Sequence, residues 1–349
     1  MPTVPAVKKK YIKCLVWDLD HTLWHGVLLE DDRVVLRDNI RSIIDTLDGR
    51  GILQSIASKN DYAAAMRKLQ EFDLRQYYLY PQIGWSSKVE YIKKIAAALN
   101  IGLEAFAFID DEPFERAEVL SALPTVLCLD AAAVDGLLDL PAMQPRFITG
   151  DSGRRRQMYR NDLARNEAQE QFVGPKEEFL ASLAMKFHIF KAAVEDLQRA
   201  EELTVRTNQL NSTGYSYSFA ELDRFRQSDQ YLLLMAALED RFGDYGHIGL
   251  ALIERRPAIW TIRLLLMSCR VMSRGVGTIM LNHIMNLARQ QRICLRAEFM
   301  PNGRNRMMDI TYRLAGFKQV GRVAELLILE NDLRQVHSFP AYVEVKISE

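Results

Sequence analysis

Three apolar runs in the first half of the chain end in polar residues suited to chemistry rather than to packing. Residues 13–17 run into Asp18-Leu19-Asp20-His21-Thr22, residues 52–57 into Ser58-Lys59-Asn60, and residues 105–109 into Asp110-Asp111. Helix-like stretches at 41–47, 61–71 and 88–99 separate these runs, Asp61 lies near the second stretch's cap, and residues 126–129 form a fourth run. Alternating strands and helices predict a parallel sheet covered by helices on both faces. Ligands of such sheets bind beyond the carboxyl ends of the strands, which is where these acids fall. Residues i and i+2 of an extended segment point the same way, so Asp18 and Asp20 face one site and Leu19 faces away. Neighbouring carboxylates repel and raise each other's pKa, so the arrangement calls for a cation or a reaction. Lys88 opens the helix before the third run. Four acids, a serine hydroxyl and a lysine therefore converge at one sheet edge, where the acids would hold Mg²⁺, a cation that takes oxygen ligands.

The whole chain bounds the remaining possibilities. It has 349 residues, 48% of them hydrophobic, which is room for two domains. Lys and Arg total 45, as do Asp and Glu. This balance argues against a nucleic-acid binder. No apolar run approaches the roughly 18 residues that read as a membrane span, and the N-terminus has no apolar stretch of signal-peptide type. Cys14, Cys128, Cys269 and Cys294 lack paired spacing, which suggests a reducing compartment and a cytoplasmic location.

Around residues 138–153 the composition shifts to Pro141, Pro145, Gly150 and Gly153, followed by Arg154-Arg155-Arg156, read as a solvated helix start in preference to a binding patch. The boundary is placed there, giving domains 1–145 and 146–349. Helical sequence follows to about 183, broken at Gly174-Pro175. Strands are predicted at 185–190, 231–238, 248–253, 259–268 and 293–298, and helices at 194–206, 278–291 and 305–316. Between strand and helix lies Cys269-Arg270-Val271-Met272-Ser273-Arg274-Gly275-Val276-Gly277. Backbone N–H groups at such a helix start favour an anion, although glycines for φ > 0 explain the turn equally well.

The order strand-DxDxT, strand-Ser, Lys, strand-DD resembles the haloacid dehalogenase (HAD) superfamily, whose members are mostly phosphatases. The resemblance implies Asp18 as nucleophile, Asp20 as general acid and base, and Thr22 as support for the loop. It further implies Ser58 as a phosphoryl ligand and Lys88 as the charge offset. Asp110 and Asp111 would complete a Mg²⁺ site with Asp18 and the Asp20 carbonyl. The gaps from Asp20 to Ser58 and from Ser58 to Lys88 leave no room for a folded cap domain, so the site is expected to be open.

The RGVG loop with "TYRLAGF" makes the second half similar to GCN5-related acyltransferases (GNAT), with Met272 where that family has Gln or Arg. The fold class is thus α/β: a capless HAD Rossmann-like parallel sheet, then an α+β GNAT-like domain. "DLDHTLWHGVLLED", "IASKND", "RTNQLNSTG" and "FGDYGHIG" together resemble FkbH-like proteins, which commonly have Asn where His21 stands and Gly where His25 stands. That resemblance implies transfer of a glyceryl unit from 1,3-bisphosphoglycerate to the phosphopantetheine arm of an acyl carrier protein, with loss of the 3-phosphate, for polyketide biosynthesis. A phosphatase whose C-terminal half only recruits a partner is the alternative.

For the acyl step, Cys14 lies four residues before Asp18, about 13 Å along a strand at roughly 3.3 Å per residue, and reads as core. Cys269 sits where a strand meets the glycine loop. Arg270 and Arg274 are placed to lower its pKa, and His247 is a candidate base. Cys269 is therefore the candidate thioester nucleophile, with direct transfer to the carrier thiol as the alternative. Asn208, Gln209 and Asn211 either orient the acyl or pantetheine chain or cap a turn, and Arg270, Arg274, Gly275 and Gly277 are candidate substrate contacts.

Overall fold

The structure, a computed structural model, describes residues 11–31, 33–207 and 209–348, with backbone alone at Cys269 and Ser273. The chain divides into two compact units, Met1–Arg160 and Asn161–Glu349.

The first unit is built on five strands: β1 (Cys14–Trp17), β4 (Leu53–Lys59), β5 (Gln82–Gly84), β6 (Phe106–Asp110) and β7 (Leu127–Asp130). All pair in parallel, in the order β5-β4-β1-β6-β7. The helices between them are α1 (Ile40–Gly49), α2 (Tyr62–Glu71), α3 (Lys88–Leu99) and α4 (Pro113–Ala122). The central strand β1 is buried throughout, as befits a strand covered on both faces. A two-stranded hairpin, β2 (Trp24–His25) with β3 (Val35–Leu36), is the only strand pair inserted between β1 and α1 among the described residues. Between β4 and α3 lie only α2, a short turn at Arg75–Tyr77 and β5, so among the described residues neither connection holds a cap domain.

Capping fixes where the polar residues fall. Asp61 accepts from the Ala64 N–H at 2.7 Å and starts α2. Ser87 accepts from the Glu90 N–H at 3.3 Å and starts α3, so Lys88 becomes the first helical residue. Glu112 caps α4, with Pro113 in the first turn.

In the second unit, α6 (Arg155–Gln171), which contains the division, and α7 (Lys176–Ser182) lead into an eight-stranded sheet. A single turn, α5 (Gly150–Gly153), precedes them. The sheet strands are β8 (Met185–Lys191), β9 (Tyr231–Asp240), β10 (Gly243–Arg255), β11 (Ile259–Met267), β12 (Cys294–Phe299), β13 (Lys318–Val323), β14 (Leu326–Asn331) and β15 (Val343–Ser348). Their order is β13-β14-β12-β11-β10-β9-β8-β15. Pairing is mostly antiparallel, with parallel pairs β11–β12 and β15–β8. Of the helices, α8 (Leu197–Arg206) and α9 (Phe219–Arg226) follow β8, α10 (Ile279–Gln290) links β11 to β12, and α11 (Arg306–Leu314) follows β12. Separate apolar clusters fill the two faces: Leu203, Leu250 and Leu264 in one, Phe187, Ile284 and Leu295 in the other. The α/β class expected for the first half and the α+β class expected for the second both hold.

The arginine run is solvated only in part: Arg154 is exposed, whereas the other two side chains are engaged. Arg155 donates to the Gly51 carbonyl at 2.8 Å, and Arg156 pairs with Asp48 at 2.8 Å, so both side chains hold the end of α1.

Candidate functional sites

The carboxyl edge of the first sheet brings Asp18, Ser58, Lys88, Asp110 and Asp111 together. Asp18 and Asp110 follow or end adjacent parallel strands, and both are buried. Lys88 enters between them from the start of α3. Its ammonium lies 2.6 Å from Asp18 Oδ1 and also bonds Asp110 Oδ2. The buried Ser58 hydroxyl lies near enough to Asp18 to favour its charged form. Burial pushes the Asp18 carboxyl up to about 7, against the opposing pull of Lys88. Burial also raises Asp110. For Lys88, burial disfavours the ammonium, but the charges of Asp18 and Asp110 outweigh it and hold the pKa above its ordinary value.

One carboxylate oxygen each from Asp18, Asp110 and Asp111 lies within 4.8 Å of the others. Three ionised carboxylates and one ammonium leave two negative charges, the balance that a divalent cation cancels. The donors are all hard oxygens, which fits Mg²⁺. Asp111 is fixed by a reciprocal pair: the Thr22 hydroxyl donates to its Oδ1 at 3.3 Å, and its N–H donates to Thr22 Oγ1 at 3.1 Å. Asp110 Oδ1 accepts from the Glu112 N–H at 2.8 Å.

The Asp20 carboxylate stands apart from this cluster. Its Oδ1 accepts from the Trp24 indole at 2.7 Å and the Leu28 N–H at 3.0 Å, and its Oδ2 accepts from the Asn60 amide at 2.9 Å. Among the described residues it does not share the acid cluster through its side chain. Neither Trp24 nor Asn60 is among the residues that the motif pattern singles out. Trp24 follows Asp20 by four positions and was the more legible of the two. Asn60 comes from another strand end and needs the register of β1 on β4.

In the second unit, parallel pairing of β11 with β12 covers only Ile259–Ile262 against Cys294–Ala297. Where it stops, the chain's own "QLNS" segment fills the gap. Ser212 N–H donates to the Leu265 carbonyl at 3.0 Å, and Met267 N–H to the Leu210 carbonyl at 2.9 Å. On the other side, Met300 N–H donates to the Ser212 carbonyl at 2.9 Å. Asn211 is wholly buried and spent on this turn: its amide donates to the Thr207 carbonyl, and its Oδ1 accepts from Thr213 and Gly214. Gln209 is exposed in the same turn. Asn208 lies outside the described residues, as does the Cys269 side chain.

Arg274 turns inward. It is 3% exposed, with long contacts of 3.3 and 3.4 Å to Gln169 and Asn166 of α6, so it does not face solvent at the glycine loop. Arg270 is half-buried, and its charge, like that of Arg274, acts on Asp162. Gly275 has φ +68, and a Cβ there would come within 2.2 Å of the Tyr342 hydroxyl. That hydroxyl donates to the Gly275 carbonyl at 3.3 Å. Gly277 meets nothing within 4 Å, so space does not demand glycine there. His247 Nε2 lies 3.7 Å from Asp196 Oδ1. Cys14 is fully buried and burial pushes its thiol far upward, in keeping with a core role. Cys128 and Cys294 are likewise raised by burial.

Among the described residues, no helix is long and apolar enough to cross a membrane.

No family model matches this chain, and neither does any curated protein. Solved structures give partial likenesses. The N-terminal part of a Bacteroides fragilis protein, described as containing a phosphatase domain and solved with Mg, is 28% identical over 39% of this chain, with a TM-score of 0.34. This chain spans 42% of the length of that structure. The Escherichia coli ribosomal-protein-S18-alanine N-acetyltransferase is 15% identical, covering 42% of this chain and 92% of that one, with a TM-score of 0.34. The PaiA N-acetyltransferase of Thermoplasma acidophilum, solved with coenzyme A, is 19% identical, covering 42% and 98%, with a TM-score of 0.34.

Proposed function

We propose that the chain is a two-part enzyme, a phosphomonoester phosphatase joined to an acyl-transfer domain. More narrowly, it loads a glyceryl unit from 1,3-bisphosphoglycerate onto the phosphopantetheine thiol of an acyl carrier protein and removes the 3-phosphate, supplying polyketide assembly. The observation that carries the phosphatase half is Lys88 bridging the buried Asp18 and Asp110 beside Asp111.

The Asp18 oxygen not held by Lys88 attacks phosphorus, and the P–O bond to the substrate alkoxide breaks. Asp20 gives that alkoxide its proton, then takes one from the water that hydrolyses the phospho-aspartate, releasing inorganic phosphate and restoring Asp18. Lys88 and the Ser58 hydroxyl balance the negative charge gathering on the phosphoryl oxygens. Asp18, Asp110 and Asp111 would hold Mg²⁺, which supplies further charge cancellation when bound. In the acyl half, the acyl phosphate is already activated. A Cys269 thiolate displaces phosphate to form a thioester, and the carrier thiol then exchanges onto it.

One observation favours a second reading, in which the C-terminal unit only recruits a partner: the gap between β11 and β12 is filled by Leu210–Ser212, and Tyr342 sits on Gly275. Incubation with carrier protein, Mg²⁺ and 1,3-bisphosphoglycerate, followed by intact mass, separates the two. A glycerylated carrier supports the first reading. Phosphate release with an unmodified carrier supports the second.

A further inference from the structure

Three consecutive residues at the end of β4 are tied to three different parts of the first unit's site. Ser58 stands near Asp18, and the Asn60 amide donates to Asp20 Oδ2 at 2.9 Å. Lys59, between them, reaches a third element: its ammonium lies 2.5 Å from Glu115 Oε1 of α4. The neighbours of Glu115 in α4 support Asp110. The Glu112 N–H, at the cap, donates to Asp110 Oδ1 at 2.8 Å, and Arg116 Nη1 donates to the Asp110 carbonyl at 2.8 Å. The strands that lead to these two elements, β4 and β6, are not adjacent. β1 runs between them, with Trp17 level with Ile56 on one side and Ile109 on the other. The Lys59–Glu115 pair therefore joins the two elements that flank the strand leading into Asp18.

Stability is a poor reason for such a pair. Glu115 is 7% exposed, and its Oε2 is buried without a hydrogen-bond partner among the described residues, so only one of its oxygens is satisfied. A buried carboxylate left partly unbonded carries a cost, and buried ion pairs are often matched or bettered in stability by apolar residues of similar volume. What the pair does supply is geometry. A charge-assisted bond is short and directional, and this one fixes the end of β4 against the helix that backs Asp110 and Asp111.

We infer that Lys59 and Glu115 are positioning residues for the phosphatase reaction, setting the Ser58 side of the site at the right distance from its cation-binding side. The inference rests on the phosphatase reading above and adds to it two residues that lie outside the acid cluster.

The test measures, by calorimetry on the full chain, affinity for Mg²⁺ alone and for inorganic phosphate with Mg²⁺ saturating. The variants are Lys59→Met, Glu115→Gln, the double variant and Lys59→Arg, each held below its melting temperature. Charge alone would shift the two single variants in opposite directions: losing a cation favours Mg²⁺ and disfavours phosphate, and losing an anion does the reverse. Positioning shifts them together. Each single variant should weaken both ligands, about tenfold for Lys59→Met. The double variant, unchanged in net charge, should also weaken both and be no worse than Lys59→Met, because the two residues act as one unit. Lys59→Arg keeps the bond and should recover most of the loss. Opposite shifts, a loss confined to one ligand, or affinities unchanged in the folded variants would overturn the inference while leaving the phosphatase reading intact. Should Lys59→Met fail to fold, Glu115→Gln and the double variant, neither of which leaves a buried carboxylate unpaired, decide the matter by the same criteria. If the wild-type chain binds neither Mg²⁺ nor phosphate, the phosphatase reading falls and takes this one with it.

Discussion

The ammonium of Lys88 lies 2.6 Å from Asp18 Oδ1, and the same nitrogen bonds Asp110, so a single buried cation joins the ends of two neighbouring strands. Removing it leaves two buried acids facing each other. Lys88→Met is expected to destabilise the metal-free protein by about 3–5 kcal/mol, the usual cost of stripping one partner from a buried ion pair. Mg²⁺ should restore part of that loss in thermal melts, because a divalent ion can take over the role of the missing charge. Phosphatase turnover should not return with it.

The raised Asp18 pKa gives a pH signature. In the unfolded chain this carboxyl titrates near 3.8, and in the folded metal-free protein near 7. Between these values the native state holds the extra proton, so its contribution to stability is complete below about pH 4 and is lost as pH rises through about 7. A cation competes for the same oxygen. The Mg²⁺-induced rise in melting temperature should therefore grow from pH 5 to pH 8, and a rise that is flat across that range would contradict the assignment.

Thr22 and Asp111 form a closed pair, with each accepting one hydrogen bond from the other. Thr22→Val keeps the shape and removes the hydroxyl. The half-buried Asp111 is then free to turn. Mg²⁺ affinity should fall about tenfold, as for other losses of a group that orients a metal ligand, and a metal titration followed by calorimetry reads this directly.

Asp20 meets donors on both oxygens, so its carboxylate is oriented as an acceptor by Trp24, Leu28 and Asn60. Asp20→Asn sets an NH₂ group against one of these donors and deletes the proton carrier. The kcat for phosphate release should drop about 10²–10⁴-fold, whereas Mg²⁺ affinity should change little, because the Asp20 side chain lies outside the acid cluster. Parallel loss of both would place Asp20 among the metal ligands instead.

How much of this could be read in advance depended on the range of the interactions involved. The acids at the ends of β1 and β6, and Lys88 at the start of α3, were legible because local signals fix them: an apolar run, the helical pattern that follows, and the side-chain alternation of a strand. The partners of Asp20 were not, since Asn60 reaches it only through the pairing of β1 with β4. The second unit was less transparent still. The "RTNQLN" amides suggested ligand contacts, yet Asn211 is consumed by its own turn, and the segment's role depends on two strands that part far away in sequence. Arg274 likewise reads as a substrate contact at the glycine loop, but its side chain turns inward to α6. Short hairpins such as β2–β3 carry too few residues for periodicity to show.

Gly275 is held by conformation and by contact at once. Its φ of +68 lies where a side chain costs roughly 1–2 kcal/mol, and an added Cβ would also come within 2.2 Å of the Tyr342 hydroxyl and 3.2 Å of its ring carbon. Gly275→Ala should therefore destabilise the protein by more than the backbone term alone. Adding Tyr342→Phe removes the nearer atom and leaves a contact the ring can relieve by a small shift. The double variant is expected to recover part of the loss, and that recovery measures the contact separately from the backbone strain. Chemical denaturation of the four proteins in the cycle is the measurement. Purely additive effects would mean that Tyr342 does not press on the glycine loop, and the covering of that loop by residue 342 would then lose its support.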